Sequence, residues 1–230
     1  MASSGTFAFG PAASNLTLTA FGRIGIRRTE LTAQHMDDAA TEANLVQVKL
    51  ANLQPNLWTD VLYPVNLVQG TATYTLDPSL IAIQAAYLTT TIGGVSTDRI
   101  MWPYSTFEYS AIPNKTQQAP PTSYWYNRQI TPQISLWPVP DGNAAYVLNL
   151  RICKQIQDVS MASGTTLNLP YRWFDVYVAD LAHRLSRIYA PDKEAMRKQD
   201  AADAWANAAT EDQERTPIYF VPTGAMGYFG

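Results

Sequence analysis

The spacing of apolar residues changes twice along the chain, and this feature constrains the fold more than any other. Over about residues 30–54 the apolar side chains recur at intervals of three and four, as they do on one face of a helix. From Leu57 the interval becomes two, which is typical of strands, and from Leu169 it returns to three and four. The spacing therefore predicts helices, then strands, then helices again. The first helical series is Met36, Ala39, Ala43, Val46, Leu50 and Leu53.

Each of the two helical regions is predicted to contain two helices. In the first region, Asn15 is a candidate N-cap for a short helix over residues 16–26, and Pro55 ends the longer helix that follows. In the second region, Asp192 is a candidate N-cap for an alanine-rich helix. The helix before it carries a second series at intervals of three and four, which consists of Phe174, Val178, Leu181, Leu185 and Ile188.

The region between the helices is predicted to form six or seven short strands, separated by Pro, Gly, Asp and Asn residues. One of the predicted strand runs is STDRIMWPYSTFEYSAIP at residues 96–113. The Asp141-Gly142 pair, between QISLWPVP and NAAYVLNLRI, is the strongest hairpin signal in the chain. Short strands at this spacing are typical of an antiparallel β-sandwich or barrel.

The predicted fold class is α+β. Helical hairpins from the two ends of the chain are expected to pack as one four-helix bundle, with an antiparallel β-sandwich or barrel inserted as a second lobe. The expected parts are an N-terminal arm at 1–14, one bundle half at 15–55, the inserted β-lobe at 56–168, the other bundle half at 169–213 and a C-terminal tail at 214–230.

The charge balance gives no sign of a nucleic-acid-binding surface. The chain has 16 Lys and Arg against 19 Asp and Glu, a net charge of −3, and only 15% charged residues. Proteins that bind nucleic acid tightly use a basic patch to neutralise phosphates. The acidic balance suits a surface along which DNA passes without binding, and the shortage of charge suits a protein partly covered by neighbouring subunits.

Metal and disulfide sites are not expected. Cys153 is the only cysteine, which excludes an intrachain disulfide and a multi-cysteine zinc site. It lies in the strand-like run VLNLRICKQI, so a buried thiol is favoured over a nucleophile. His35 and His183 are far apart in sequence and lack a metal-binding spacing. The N-terminal residues do not resemble a signal peptide, and no apolar run reaches membrane-spanning length, so we expect a cytosolic protein or an assembly built in a cytosol.

No catalytic or cofactor-binding motif is found, so the chain is predicted not to be an enzyme and to need no cofactor. One acidic cluster leaves an alternative open. The carboxylates of Asp37, Asp38 and Glu42 lie within two turns of the first long helix and could bind a cation. A solvated acidic helix face is the favoured interpretation of the same pattern.

A second charge cluster lies on the helix of the second apolar series. Asp180 and His183 are three residues apart and therefore neighbours on one helix face, and Arg184 and Arg187 follow them. A carboxylate beside an imidazole can serve in catalysis. Basic residues towards a helix C-terminus are also what the helix dipole favours, and a helix-terminal charge cluster is the favoured interpretation.

The stretch SYWYNRQITPQISLWPVPDG at residues 123–142 is rich in aromatic residues and prolines. Strand alternation places Tyr124 and Tyr126 on one face and Trp125 on the other, so one set is expected in the core. We expect this stretch to form an edge of an antiparallel sheet, with prolines at strand ends and tryptophans that pack. The alternative is a carbohydrate-binding β-module with a helical oligomerisation arm, in which the two tyrosines stack on sugars.

Five motifs occur in an order that resembles one protein family, the head-to-tail adaptors of short-tailed bacteriophages, also described as connector or tail-tubular A-like proteins. The motifs span most of the chain from residue 15 to residue 213. They are LTAFGRIGI (18–26), QVKLANLQPNLW (47–58), LVQGTATYTLD (67–77), PTSYWYNRQITPQISLWPVPDG (121–142) and LNLPYRWFDVYVADLAHRLSRIYAPD (167–192).

The resemblance implies a structural virion protein at the head–tail junction, assembled in the host cytoplasm. Such adaptors form a homo-oligomeric ring, usually a dodecamer, beneath the portal protein. The resemblance implies that the helical bundle docks on the portal and that the β-lobe receives tail nozzle or tail-fibre proteins. DNA would leave the head through the ring channel without sequence-specific binding, and no membrane is involved.

The C-terminal tail, RTPIYFVPTGAMGYFG at residues 215–230, matches no pattern of the family. It is too short to form a domain, and its large apolar side chains would be poorly placed in water. We therefore expect the tail to bind the portal or a neighbouring subunit. The candidate partner-binding residues are Ile218, Tyr219, Phe220, Tyr228 and Phe229.

Overall fold

The computed structural model describes residues 9–53, 57–162 and 164–211, and these ranges form a mixed α+β fold with five α-helices and two four-stranded sheets. The helices are α1 (Ala13–Ile24), α2 (Ala33–Leu53), α3 (Thr106–Ala111), α4 (Phe174–Tyr189) and α5 (Glu194–Glu211). The strands are β1 (Asp60–Asn66), β2 (Thr73–Thr75), β3 (Leu80–Ile92), β4 (Val95–Ile100), β5 (Trp102–Tyr104), β6 (Ser123–Asn127), β7 (Gln133–Trp137) and β8 (Ala145–Lys154).

Helix α4 is the centre of the helical part. It packs against α1, α2 and α5, and the four helices contribute to one apolar core. Its predicted apolar series is confirmed, because every member is buried except Ile188, which is half exposed near the helix end. The predicted series of α2 is also confirmed at its centre, since Ala39, Ala43, Val46 and Leu50 are buried.

Two predicted helix caps are wrong. Helix α1 begins at Ala13 with Ala12 as its N-cap, so Asn15 lies inside the helix. The cause is a distant contact, since the Ala13 N–H donates to the Thr165 carbonyl at 2.8 Å and fixes where the helix starts. At the other end of the chain, Asp192 lies inside a single 3-10 turn, Pro191–Lys193, and α5 begins after it at Glu194.

The two sheets have the strand orders β1-β8-β3-β4 and β2-β7-β6-β5. All neighbours are antiparallel except β5 and β6, which run parallel, so the prediction of a purely antiparallel module is wrong at this edge. A parallel pair needs a crossover connection. Here the crossover contains α3, which lies between the end of β5 and the start of β6.

Helix α3 lies in a segment that was predicted as strand. Its start is marked by a capping box, because the Ser105 hydroxyl accepts from the Glu108 N–H and the Glu108 carboxylate accepts from the Ser105 N–H. The Ser-x-x-Glu spacing that produces this box is visible in the sequence. The segment was predicted as strand because it is one of a series of short β-prone runs separated by Pro, Gly, Asp and Asn residues.

The hairpin predicted at Asp141-Gly142 is wrong. The turn exists, with Gly142 at a φ of 76°, but it joins β7 of one sheet to β8 of the other. The Asp141 carboxylate shapes this crossing by accepting from the Asn143 N–H and the Tyr146 hydroxyl. A true two-residue hairpin connects β3 and β4 at Gly93-Gly94, where both residues have positive φ.

The two sheets share one apolar core. Strand β8 contributes Leu148, Leu150 and Ile152, and the second sheet contributes Ile134 and Leu136 from β7. All five side chains are fully buried. Strand β8 lies between β1 and β3, so it holds the first sheet together by its ladder on both sides as well as by its side chains.

Truncation of the β8 core should destabilise the free protein strongly. Leu148→Ala removes fully buried methyl groups and leaves a cavity, so the free energy of unfolding should fall by about 2–5 kcal/mol. The matched control is Leu62→Ala on the neighbouring strand β1, where the side chain is half exposed and the loss should stay below about 1 kcal/mol. Urea unfolding followed by circular dichroism measures both, and equal losses would contradict the shared core.

Candidate interaction surfaces

The aromatic stretch forms the middle of the second sheet. Strands β6 and β7 are both central strands, so the expectation that this stretch is a sheet edge is wrong. The predicted alternation is confirmed, since Tyr124 is buried in the core between the sheets and Tyr126 packs against that core. The Tyr126 hydroxyl donates to the Leu80 carbonyl at 3.3 Å. Sugar stacking needs an open ring face, and the buried Tyr124 does not offer one.

The opposite face of β6 and β7 is covered by α3 and the loop after it. Trp125 stacks on Tyr109 of α3 with ring centroids 5.0 Å apart, and its indole N–H donates to the Thr106 hydroxyl. The indole N–H of Trp137 donates to the Asn114 carbonyl at 3.0 Å. Both tryptophans thus pack within the chain, which confirms their interpretation as packing residues.

The acidic cluster of α2 is partly engaged by α4. Asp38 accepts a short hydrogen bond from the Tyr189 hydroxyl, and Glu42 forms an ion pair with Arg184 at 3.1 Å. Burial of the hydroxyl, together with the Asp38 carboxylate, raises the pKa of Tyr189 to about 12. Two of the three predicted carboxylates therefore join helices, and within the described ranges no group of His, Cys, Asp or Glu could hold a metal ion.

The second charge cluster is built around a buried carboxylate. Asp180 of α4 is 2% exposed, and the Lys49 ammonium of α2 lies 2.7 and 2.8 Å from its two oxygens. A buried charge is tolerated only when it is paired and hydrogen-bonded. The sequence indicated the charged residues of α4 but not the distant lysine that pairs with Asp180. This ion pair connects α2 to α4.

His183 extends the network towards α5. The His183 side chain is buried, with Nδ1 4.0 Å from Asp180 and Nε2 3.9 Å from Glu194. Glu194 also pairs with Arg187, whose guanidinium lies 3.3 Å from the imidazole. Burial and the Arg187 charge lower the pKa of His183, and the carboxylates of Asp180 and Glu194 partly oppose this shift. The arrangement joins α2, α4 and α5 through paired charges.

The lone cysteine is a buried thiol. Cys153 lies near the end of β8 and is 4% exposed, with the Gln84 side-chain amide 2.7 Å from its sulfur. Burial raises the pKa of the Cys153 thiol, and the Asp60 carboxylate acts in the same direction. A nucleophilic cysteine needs the opposite shift. The interpretation as a buried thiol is confirmed.

Two flanks of the paired sheets expose large apolar side chains that sequence reasoning missed. The β4 flank is defined by Ile92, Val95, Ile100 and Trp102, which are each at least 65% exposed. The β1 flank is defined by Val61, Leu62 and Val68, which are also exposed. The candidate residues Ile218, Tyr219, Phe220, Tyr228 and Phe229 lie outside the described residues.

A comparison with protein families gives the classification. The model of the family described as SU10 adaptor protein matches residues 16–222, which include both the helical core and the two sheets. The chain belongs to the SU10 adaptor protein family. The match confirms the resemblance to phage adaptors that the five motifs indicated. No curated protein matches the chain.

Membership of the SU10 adaptor family makes this chain a bacteriophage adaptor and a virion protein. An adaptor family is a family of structural proteins rather than of enzymes, which agrees with the paired and enclosed charge clusters described above. In the described part of this SU10 adaptor, no helix is both long enough and apolar enough to cross a membrane.

Loss of the lysine that neutralises Asp180 should destabilise the helical part. Lys49→Met keeps the length of the side chain but leaves a buried carboxylate without its cation. Fully enclosed pairs cost about 3–5 kcal/mol when broken in this way, and about 2 kcal/mol is expected here because the Lys49 side chain is 38% exposed. Lys198→Met on the exposed surface of α5 is the control and should change the urea midpoint little.

Stability should fall on mild acidification because of His183. The unfolded chain takes up a proton near the ordinary pKa of 6.5, whereas the folded chain does so only at lower pH. The stability contributed by neutral His183 is therefore present above pH 6.5 and is lost as pH falls through the lowered pKa. Between about pH 7.5 and 5.5, the wild type should lose more stability than His183→Gln in urea unfolding. Equal losses of stability in the two proteins would contradict this prediction. All other titrating residues are present in both proteins, so the difference between the two losses reports on His183.

Proposed function

We propose that this adaptor forms a dodecameric ring beneath the portal protein, at the head–tail junction of the virion. In this position it joins the portal to the tail nozzle or tail-fibre proteins and continues the channel through which DNA leaves the head. The observation that carries the proposal is the family match over residues 16–222, because it includes the helices and both sheets and thus the whole described architecture.

The two parts of the chain are proposed to have different partners. Helices α1, α2, α4 and α5 act as one four-helix bundle, formed by residues 15–55 and 169–213, and this bundle docks on the portal. Residues 56–168 act as an inserted β-lobe that receives the nozzle or fibre proteins. Support comes from the two separate apolar cores, of which one contains residues of all four helices and the other belongs to the two sheets.

The proposed channel must let DNA pass without holding it. The net charge is −3, and many of the basic side chains are already paired within the chain. Within the described ranges, seven of the chain's 16 Lys and Arg residues form ion pairs with Asp or Glu, so their charge is offset within the subunit. They are Arg23, Lys49, Arg151, Lys154, Arg184, Arg187 and Arg197. Sequence-independent DNA binding depends on a strong basic field, and paired basic side chains do not supply one.

The C-terminal tail is proposed to strengthen the ring by binding the portal or a neighbouring subunit. Its residues Ile218, Tyr219, Phe220, Tyr228 and Phe229 supply large apolar side chains, which dominate the energy of most protein contacts. The free protein is proposed to be monomeric or weakly associated and to assemble on the portal. The described helices and sheets bury their cores without a second copy, which supports a folded monomer.

The decisive experiment mixes the purified full-length protein with the portal protein of the same phage. Cryo-electron microscopy should show one ring with a central channel on the portal, and mass photometry should show no stable ring without it. A truncated protein lacking residues 215–230, and a full-length variant with serine at the five large apolar tail positions, should assemble poorly. The double substitution Arg215→Ala/Thr216→Ala is the control in the same tail and should assemble normally.

Each result has its own meaning. No ring on the portal would refute the proposed function, and a stable ring of the free protein would refute the order of assembly. Normal assembly after removal of residues 215–230 would refute the role of the tail while leaving the ring in place.

A further inference from the structure

We propose that neighbouring subunits contact each other through the two flanks of the β-lobe, with the β4 flank of one copy packed on the β1 flank of the next. This inference rests on the proposed ring and names the surfaces that would close it. The occupant of each flank is thus a second copy of this chain. Three features of the described structure support this choice: the position of the flanks, the way the β4 flank is left uncovered, and the local neutralisation of charge.

The two flanks lie on opposite sides of the same sheet. Strands β4 and β1 are the two edge strands of the order β1-β8-β3-β4, so each copy presents one flank at each edge of this sheet. A contact between unlike surfaces leaves one of each kind free after every addition, and association continues until the ring closes. A contact between like surfaces would stop at a dimer. Apolar surfaces at the two opposite edges of one sheet therefore suit the head-to-tail contacts of a ring.

The β4 flank is open because the second sheet is too short to cover it. The register places Ile92 and Val95 on the same sheet face as the buried Leu88. That face looks towards the second sheet, but β5 at its edge has only three residues, and all six residues of β4 remain exposed. Core-facing positions are thus left without a cover inside the subunit, while the exposed Ile100 lies on the opposite face of β4, at its end next to Trp102 of β5.

The β1 flank offers a recess as well as exposed side chains. A cleft beside β1 is lined by Trp58 and Val61 as its large apolar residues. Its remaining lining is mostly polar and includes Gln155, Gln157 and Asn168. Large apolar side chains together with polar groups are the usual composition of a protein contact.

Charge on the two flanks is neutralised or hydrogen-bonded within each subunit. On the β4 side, Asp98 accepts from the Thr89 hydroxyl at 2.6 Å and Arg99 donates to the Pro121 carbonyl. On the β1 side, Asp60 forms an ion pair with Arg151 at 2.9 Å. The hydrogen bonds leave the charges of Asp98 and Arg99 in place, but these two charges are of opposite sign and the Asp60–Arg151 pair is neutral. Packing one flank on the other therefore brings no net like charges together, which would otherwise cost affinity.

The contact is expected to use side chains rather than a backbone ladder. Strand β1 contains Pro64, which has no N–H to donate and which interrupts pairing with an added strand. Strand β5 likewise contains Pro103. These prolines prevent the sheets of neighbouring copies from fusing into one continuous sheet, so the apolar side chains of the flanks carry the contact.

Cross-linking tests the pairing of unlike flanks. Leu62 and Ile100 lie on the same face of the first sheet, at its opposite edges, and both are exposed. The double variant Leu62→Cys/Ile100→Cys, assembled on the portal and treated with a short bismaleimide, should give covalent oligomers well beyond the dimer. Either single variant should stay monomeric under denaturing electrophoresis, and the natural Cys153 does not compete because it is buried.

The outcomes separate this inference from the proposed function. If rings form on the portal but the double variant gives no ladder, the flank contact is overturned and the ring stands. If Ile100→Cys alone gives dimers, like flanks meet and the contact is also overturned. If the wild type forms no ring on the portal, both proposals fail.

Charge substitution gives a second measurement. Ile100→Asp and Trp102→Asp place a carboxylate in the contact and should weaken assembly on the portal by about tenfold or more, because burying an unpaired charge is costly. Ile130→Asp is the matched control, since Ile130 is 96% exposed in the turn between the central strands β6 and β7 and belongs to neither flank. All three variants should keep the circular dichroism spectrum of the wild type. Normal assembly of both flank variants would overturn the proposal.

Discussion

Burial of helix α4 on most of its surface is the constraint on which the helical part of this adaptor depends. Apolar neighbours from α1, α2 and α5 surround it, and Trp173 just before it is fully enclosed. A helix buried in this way cannot leave its polar side chains unpaired. Asp180 and His183 therefore take partners from other helices, Lys49 on α2 and Glu194 on α5. Ion pairs that look like a surface cluster in the sequence thus become connections between helices.

The sequence was informative where one local pattern decides the structure. The apolar spacing of α2 and α4 predicted both helices, and alternation at Tyr124, Trp125 and Tyr126 predicted that one of the two sets enters the core. Local signals failed where a distant contact decides. The start of α1 is set by Thr165, and the turn at Asp141 joins strands whose partners lie elsewhere in the chain.

The interaction surfaces were harder to predict for the same reason. Nothing in the run VSTDRI shows that its core-facing side lacks a cover, because that depends on the length of β5 in the other sheet. Likewise Leu62 looks like any apolar strand residue until the strand order places β1 at an edge. The aromatic stretch drew attention as a binding face, yet Trp125 and Trp137 are engaged inside the subunit. Exposure, rather than apolar content, distinguishes the two cases.

The pairing of β1 with β8 has a mechanical consequence. The chain enters the sheets at Asp60 and leaves them after Lys154, and Asp60 is the direct ladder partner of the neighbouring Cys153. Strands β1 and β8, through which the chain connects the sheet core to the helical core, are therefore adjacent and hydrogen-bonded to each other. Any tilt of one part against the other would therefore bend the chain at this one place, because the chain passes between the helical core and the sheets only there.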